Sequence, residues 1–154
     1  RARMLDESLE ITAGLQSGKP FQSAGKYNQI SKALGKPEPI QKPRVPVWVS
    51  AHWPFHRPLK RAARWDGLLP RGWDEPITPE IIVKMADIIS RQRVSDTPFD
   101  NIKYGVTDGK NLIKDHTLVS EYEKVGVTWW IEEIFTSRGK LKQIQQRISV
   151  GPPR

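Results

Sequence analysis

There is no cysteine anywhere in the chain. That excludes a disulfide framework, thiolate chemistry and any Cys-based metal site, and it suits the cytoplasm, the compartment expected here. No apolar run approaches the ~18 residues that a membrane-spanning helix needs. No block of five or more like charges occurs, although Lys and Arg outnumber Asp and Glu by 25 to 17 and leave a formal net charge of +8. Scattered cations permit contact with phosphates, nucleic acid or an anionic surface without specifying one, so a nucleic-acid-binding tail is not expected. Neither G-x-G-x-x-G nor G-x-x-x-x-G-K-[ST] is present, which weakens the case for an open nucleotide-binding sheet.

What is present is an alternation. The 154 residues suffice for one domain with a sizeable core. Met4, Leu5, Leu9, Thr12 and Leu15 predict a helix that Gly18 and Pro20 close. Residues 19–44 read as an irregular connection, with a short extended piece near 26–30. The run "VPVWV" over 45–49 is almost continuously apolar, as in a parallel strand covered on both faces. It is expected to stop at Ser50, Ala51, His52, Trp53 and Pro54. A short helix follows over 58–65, with Leu59, Ala62 and Ala63 inward, then a strand over 66–69 ending at Pro70. Thr78 and Pro79 are an N-cap and a first helical residue, and Ile81, Ile82, Met85, Ile88 and Ile89 form the helical face behind them. A strand over 101–106, a helix over 112–125 stopped by Gly126, a strand over 127–135 and a helix over 140–148 complete the chain. The last helix is expected to align Leu141, Ile144 and Ile148.

Alternating strands and helices at this spacing imply parallel strands joined by right-handed crossovers. A small open doubly wound sheet competes with half of a (βα)8 TIM barrel. A full barrel is ~250 residues, and four units plus a helix and a connection make about half of one. The chain opens on Arg1 in mid-helix pattern, as a piece of a longer alternation would. The barrel half is therefore favoured.

Several stretches sharpen that expectation: "RARMLDESLEITAGLQSGKPF", "PRVPVWVSAHWP", "KRAARWDGLLP", "GVTWWIEE" and the closing "ISVGPPR". In this order they resemble the C-terminal half of the luciferase-like monooxygenases, the flavin-dependent oxidoreductases related to bacterial luciferase. The resemblance implies a single partial domain, strands five to eight of the barrel. It also implies a reduced FMN or deazaflavin at the barrel's C-terminal mouth and a small-molecule substrate. Where that family usually carries two glycines, this chain has Ser50 and Ala51, small residues that still let a planar ring come near. His52 would hydrogen-bond a flavin edge or phosphate, and Trp53 would stack. The family's N-terminal half is absent, so the chain is expected to act with that half or by self-association. A basic binding or assembly module without redox chemistry, contacting nucleic acid for example, is the alternative.

The remaining candidates come from the residues themselves. Barrels often bind phosphate with the loops after their last two strands, here 107–110 and 136–140. Glycines free backbone N–H groups there, and Arg138 beside Gly139 adds a forked cation; turn chemistry explains the same residues. His52 and His56 are four apart, but Pro54 between them breaks the helix that metal ligation would need, so no metal is expected. Asp66 and one of Glu132 and Glu133 are carboxylates near strands. They read better as a backbone acceptor and a partner for a helix cation than as an acid–base pair. Trp129 and Trp130 must point to opposite faces of their strand, one toward the barrel interior and one toward helices. No catalytic residue is assigned, since a flavin carries its own redox chemistry.

Overall fold

The first helix, α1 (Ala2–Leu15), ends shortly before Gly18, whose φ of 69° lies in the left-handed region. The computed structural model describes residues 1–153, which fall into two units: Arg1–Pro46 and a second that begins at Val47.

In the first unit, the connection read as irregular contains an antiparallel hairpin, β1 (Phe21–Ala24) and β2 (Gln29–Ala33). Its signal is not local. The backbone N–H groups of Lys26, Tyr27 and Asn28 in the turn all donate to the Glu7 carboxylate of α1, at 3.1, 2.9 and 3.1 Å. Phe21 packs on Gly14, where a Cβ would overlap its ring. A helix carboxylate and a missing side chain, neither in the hairpin, thus hold two strands too short to show alternation.

The second unit alternates as expected: β3 (Trp48–Trp53), α2 (His56–Ala62), β4 (Gly67–Gly72), α3 (Pro79–Ser90), β5 (Asp100–Gly105), α4 (Leu112–Lys124), β6 (Trp129–Glu132) and α5 (Leu141–Val150). A single 3-10 turn, Thr136–Arg138, precedes α5. The strands form one parallel sheet in chain order, β3-β4-β5-β6. β3 outlasts its expected end: Ser50, Ala51, His52 and Trp53 pair with Leu69, Pro70, Arg71 and Gly72. Backbone pairing with β4 carries the small residues along, and only Pro54 ends the strand. Pro70 likewise sits inside β4 rather than after it. It is tolerated because the β4–β5 pairing spans only Gly67 and Leu68, so no N–H is required of residue 70 on that side.

Register assigns the faces. Val49 pairs with Leu68, and Leu68 with Asn101, so these share a side with Ala51 and Lys103. Trp130 joins that side opposite Lys103 and meets Tyr122 of α4, their rings 5.8 Å apart. The helix-packed core comprises Val49, Ala51, Leu59, Ala62, Leu68, Ile81, Ile82, Met85 and Ile89. Burying each large apolar side chain contributes about 1.5–3 kcal/mol. Thr78 caps α3 by accepting from the Ile81 N–H. α5 departs from its expected face. Leu141 and Ile148 are 71% and 60% exposed, and the residue that turns inward is Arg147, only 8% exposed.

Candidate functional site

The side of the sheet opposite the helices carries Trp48, Ser50 and His52 from β3, Leu69 and Arg71 from β4, Asp100 and Tyr104 from β5, and Trp129 from β6. Near the strands' amino ends it is organised around Asp100. Trp48 donates its indole N–H across Gly67 to Asp100 Oδ2 at 3.0 Å, and Trp129 donates to Oδ1 at 3.1 Å. Gly67 is required, because a Cβ there would strike both the Trp48 ring and the Asp100 backbone. The two indoles lie 5.6 Å apart, and Trp129 keeps 52% of its surface exposed. The two adjacent tryptophans therefore divide as expected, Trp130 toward a helix and Trp129 to the other face.

At the carboxyl ends two clusters form, separated across the sheet. The first belongs to β3 and β4. Ser50 is exposed on the open face and His52 is half-buried there, while Ala51 is fully buried on the helix side. Ser50 and Ala51 are thus interior strand residues on opposite faces, not loop residues at a strand end as expected. Phe55 N–H donates to the His52 carbonyl at 2.9 Å and turns the chain after β3. Trp73, following β4, stands edge-on to both His52 and Phe55, with ring centres 5.5 and 6.1 Å apart.

The second cluster joins the two loops singled out for phosphate. Glu132 is its hub. Its carboxylate accepts from the Thr107 N–H at 2.8 Å, the Thr107 hydroxyl at 2.9 Å, the Trp130 indole at 3.1 Å and Arg138 at 2.9 Å. Arg147 of α5 closes to 3.4 Å of it. Burial alone would push the Glu132 carboxyl up, but these donors together outweigh it and hold the group below the usual carboxylate range. Arg138 also donates to the carbonyls of Thr107 and Glu133, and Arg147 to those of Thr107 and Gly151. Gly139 adopts φ 142°, and a Cβ there would overlap Gln143, which accepts from the Lys140 N–H at 2.8 Å.

The loop over 107–110 is tied from within. Buried Asp115 accepts from the N–H groups of Asp108 and Gly109 at 3.4 and 2.8 Å. Asp108 accepts from those of Lys110 and Asn111 at 2.7 and 3.3 Å, two bonds that hold its carboxyl below the usual range. The loop's backbone donors are therefore turned to Glu132, Asp115 and its own Asp108. Beside it lies a cavity of about 300 Å³ lined by Lys110, Arg138, Gln143 and Arg147, among others.

Of the expected site residues, Ser50 and His52 share one face at one edge of the sheet. Arg138 and Gly139 sit beyond the other edge, with β4 and β5 between them. Asp66 accepts from the Val47 N–H at 2.7 Å, and Glu132 pairs with cations, the roles expected of the two carboxylates. Asp100, Asp115, Arg147 and Trp73 carry no local mark in the sequence: an Asp that opens a strand or an Arg within an apolar helical stripe reads like any surface polar residue.

No family model matches the chain. Uncharacterized proteins of Mycobacterium tuberculosis and Mycobacterium bovis are each 33% identical to it over 85 residues. That stretch is 55% of this chain and 28% of the length of each relative.

Proposed function

We propose that this chain is the closing arc, strands five to eight, of a (βα)8 barrel and the C-terminal part of a luciferase-like, flavin-dependent oxidoreductase. The observation that carries this reading is strand order: the parallel strands follow one another in chain order, without reversal. An open doubly wound sheet reverses at its ligand-binding switch point. Right-handed crossovers that always step onward leave every helix on one side, which is how a barrel is built. The indole contact supports it further. β3 and β6 are three strand spacings apart, about 14 Å in a flat sheet, yet Trp48 and Trp129 meet at 5.6 Å on the non-helical face. A sheet curling toward that face favours the meeting. Among the described residues β3 and β6 each pair with one neighbour, which leaves an edge on each side for the rest of a ring or for a second copy.

The residues offer an FMN-type cofactor one cation and two polar side chains. The cavity beside loop 107–110 presents Lys110, Arg138 and Arg147; Glu132 already pairs with both guanidinium groups, so Lys110 is the cation that would draw a phosphate there. Because backbone donors there serve Asp108 and Asp115, and the two guanidinium groups serve Glu132, Lys110 would hold it. Ser50 and His52 offer donors on the face a ring system would occupy, and Ala51, its methyl among the helices, leaves only backbone toward that face. A reduced flavin, when bound, supplies hydride or reacts with oxygen; this chain's share is to bind and orient it and to exclude water.

The test is FMN fluorescence titrated with the chain alone and with the chain joined to an N-terminal half-barrel. Quenching is expected from the joined protein, weakened about tenfold by Lys110→Ala, which removes one charge-assisted contact. No quenching by the joined protein refutes the reading. Salt-sensitive retention on nucleic acid without any flavin effect would establish the basic-module alternative.

A further inference from the structure

Beyond the carboxyl ends of β3 and β4 lies a cleft of about 340 Å³ lined by Trp53, Pro54, Phe55, Trp73, Asp74 and Glu75. That is within the size range of small-molecule sites, ~300–1,000 Å³. Its walls are apolar surface left uncovered: Trp73 is 66% exposed and Phe55 51%. Yet the rings are placed, not splayed. Trp73 stands at 86° to Phe55 and at 74° to His52, so the aromatic planes form a corner.

Both walls are anchored in backbone. The Phe55 N–H bonds to the His52 carbonyl. On the other side the chain doubles back so tightly after β4 that a Cβ at Gly72 would run into the Glu75 carbonyl. That turn sets Asp74 and Glu75 at the rim. Among the described residues neither carboxylate has an ion pair or a side-chain hydrogen bond. The nearest cation in sequence, Arg71, is drawn 5.6 Å over the Tyr104 ring. On a chain with a net charge of +8, this is a local anionic rim around an aromatic corner.

From this geometry we infer that the cleft binds a small organic cation, an alkylated or aromatic ammonium. Aromatic faces attract such cations through their quadrupole, most strongly for Trp, and two unpaired carboxylates add a charge that a neutral ligand cannot use. The anionic rim repels phosphates and carboxylates. Nothing in this inference uses a flavin, so it stands or falls separately from the oxidoreductase reading.

The experiment compares choline with 3,3-dimethylbutan-1-ol, its uncharged isostere, by NMR broadening of the methyl signal on titration with the whole chain. Choline is expected to bind saturably and about fivefold or more tighter than the isostere, the scale of one exposed cation–π contact with nearby carboxylates. Asp74→Asn with Glu75→Gln should reduce that preference to the share the Trp73 ring supplies, while leaving weak binding of both ligands. Trp73→Leu should abolish binding of both. All these side chains are exposed, and circular dichroism verifies that each variant is folded. Equal binding of the isostere, no saturable broadening by choline, or a Trp73→Leu chain that binds as before would each overturn the inference.

Discussion

Glu132 is the residue on which the end of the fold depends, and its replacement tests that dependence most directly. Its carboxylate compensates Arg138 and Arg147 at once and accepts from both the backbone and the side chain of Thr107. It therefore ties β5, β6, the 3-10 turn and α5 together. Glu132→Ala leaves two guanidinium groups, 18% and 8% exposed, facing each other with no counter-charge. Breaking a fully buried pair by removing one partner costs ~3–5 kcal/mol. Glu132 itself keeps 18% of its side chain exposed, so the lower end, about 3 kcal/mol, is expected. With a urea m-value of ~1.5 kcal/mol/M, that is a fall of about 2 M in the unfolding midpoint. Glu132→Gln keeps an acceptor oxygen and should lose less. Pairing it with Arg147→Met should recover part of the loss, a coupling of ~0.5–3 kcal/mol in a double-mutant cycle. The pH dependence has a definite sign. The folded-state carboxyl is held below its ordinary value, so its contribution is complete above the unfolded-state value and is lost as the pH falls through the folded one. Glu132→Gln should flatten that part of the acid limb. A midpoint for Glu132→Ala within a few tenths molar of the parent would refute the hub.

Two further perturbations follow from the helix–sheet interface. Burial between β5 and α4 pushes the Lys103 ammonium down, against the smaller raising effect of Glu133. The unfolded chain thus binds the proton more tightly, and the parent's stability should rise with pH between the folded-state value and the ordinary lysine range. In thermal melts Lys103→Met should remove that alkaline rise and hold or raise the melting temperature at neutral pH; a clear fall there would show that the cation's ring contacts with Tyr122 and Trp130 outweigh its burial. Gly105→Ala places a methyl inside the Trp130 ring, an overpacking worth ~1–3 kcal/mol, seen as a melting point several degrees lower and a changed near-ultraviolet Trp signal. An unchanged melt would mean that Trp130 can swing away from α4.

The elements were legible where periodicity is strong and local. The Ile81, Ile82, Met85 and Ile89 stripe with its Thr78 cap determined α3 by itself, as Leu59 and Ala62 determined the inward face of α2. The alternation of strand and helix determined a parallel sheet, because connections of that length leave few other pairings. Pairing and long-range polar contact decided the rest. β3 runs on through Ser50 and His52 because β4 offers a ladder there, and a ladder is indifferent to side-chain size. The hairpin of β1 and β2 closes on a glutamate that precedes it by a helix. α5 turns Arg147 inward, not Leu141 or Ile148, because Glu132 lies beneath it. Periodicity records which side chains avoid water. It holds no record of which charge, far along the chain, will be waiting at the place where a helix lands; that is settled only when the strands are already side by side.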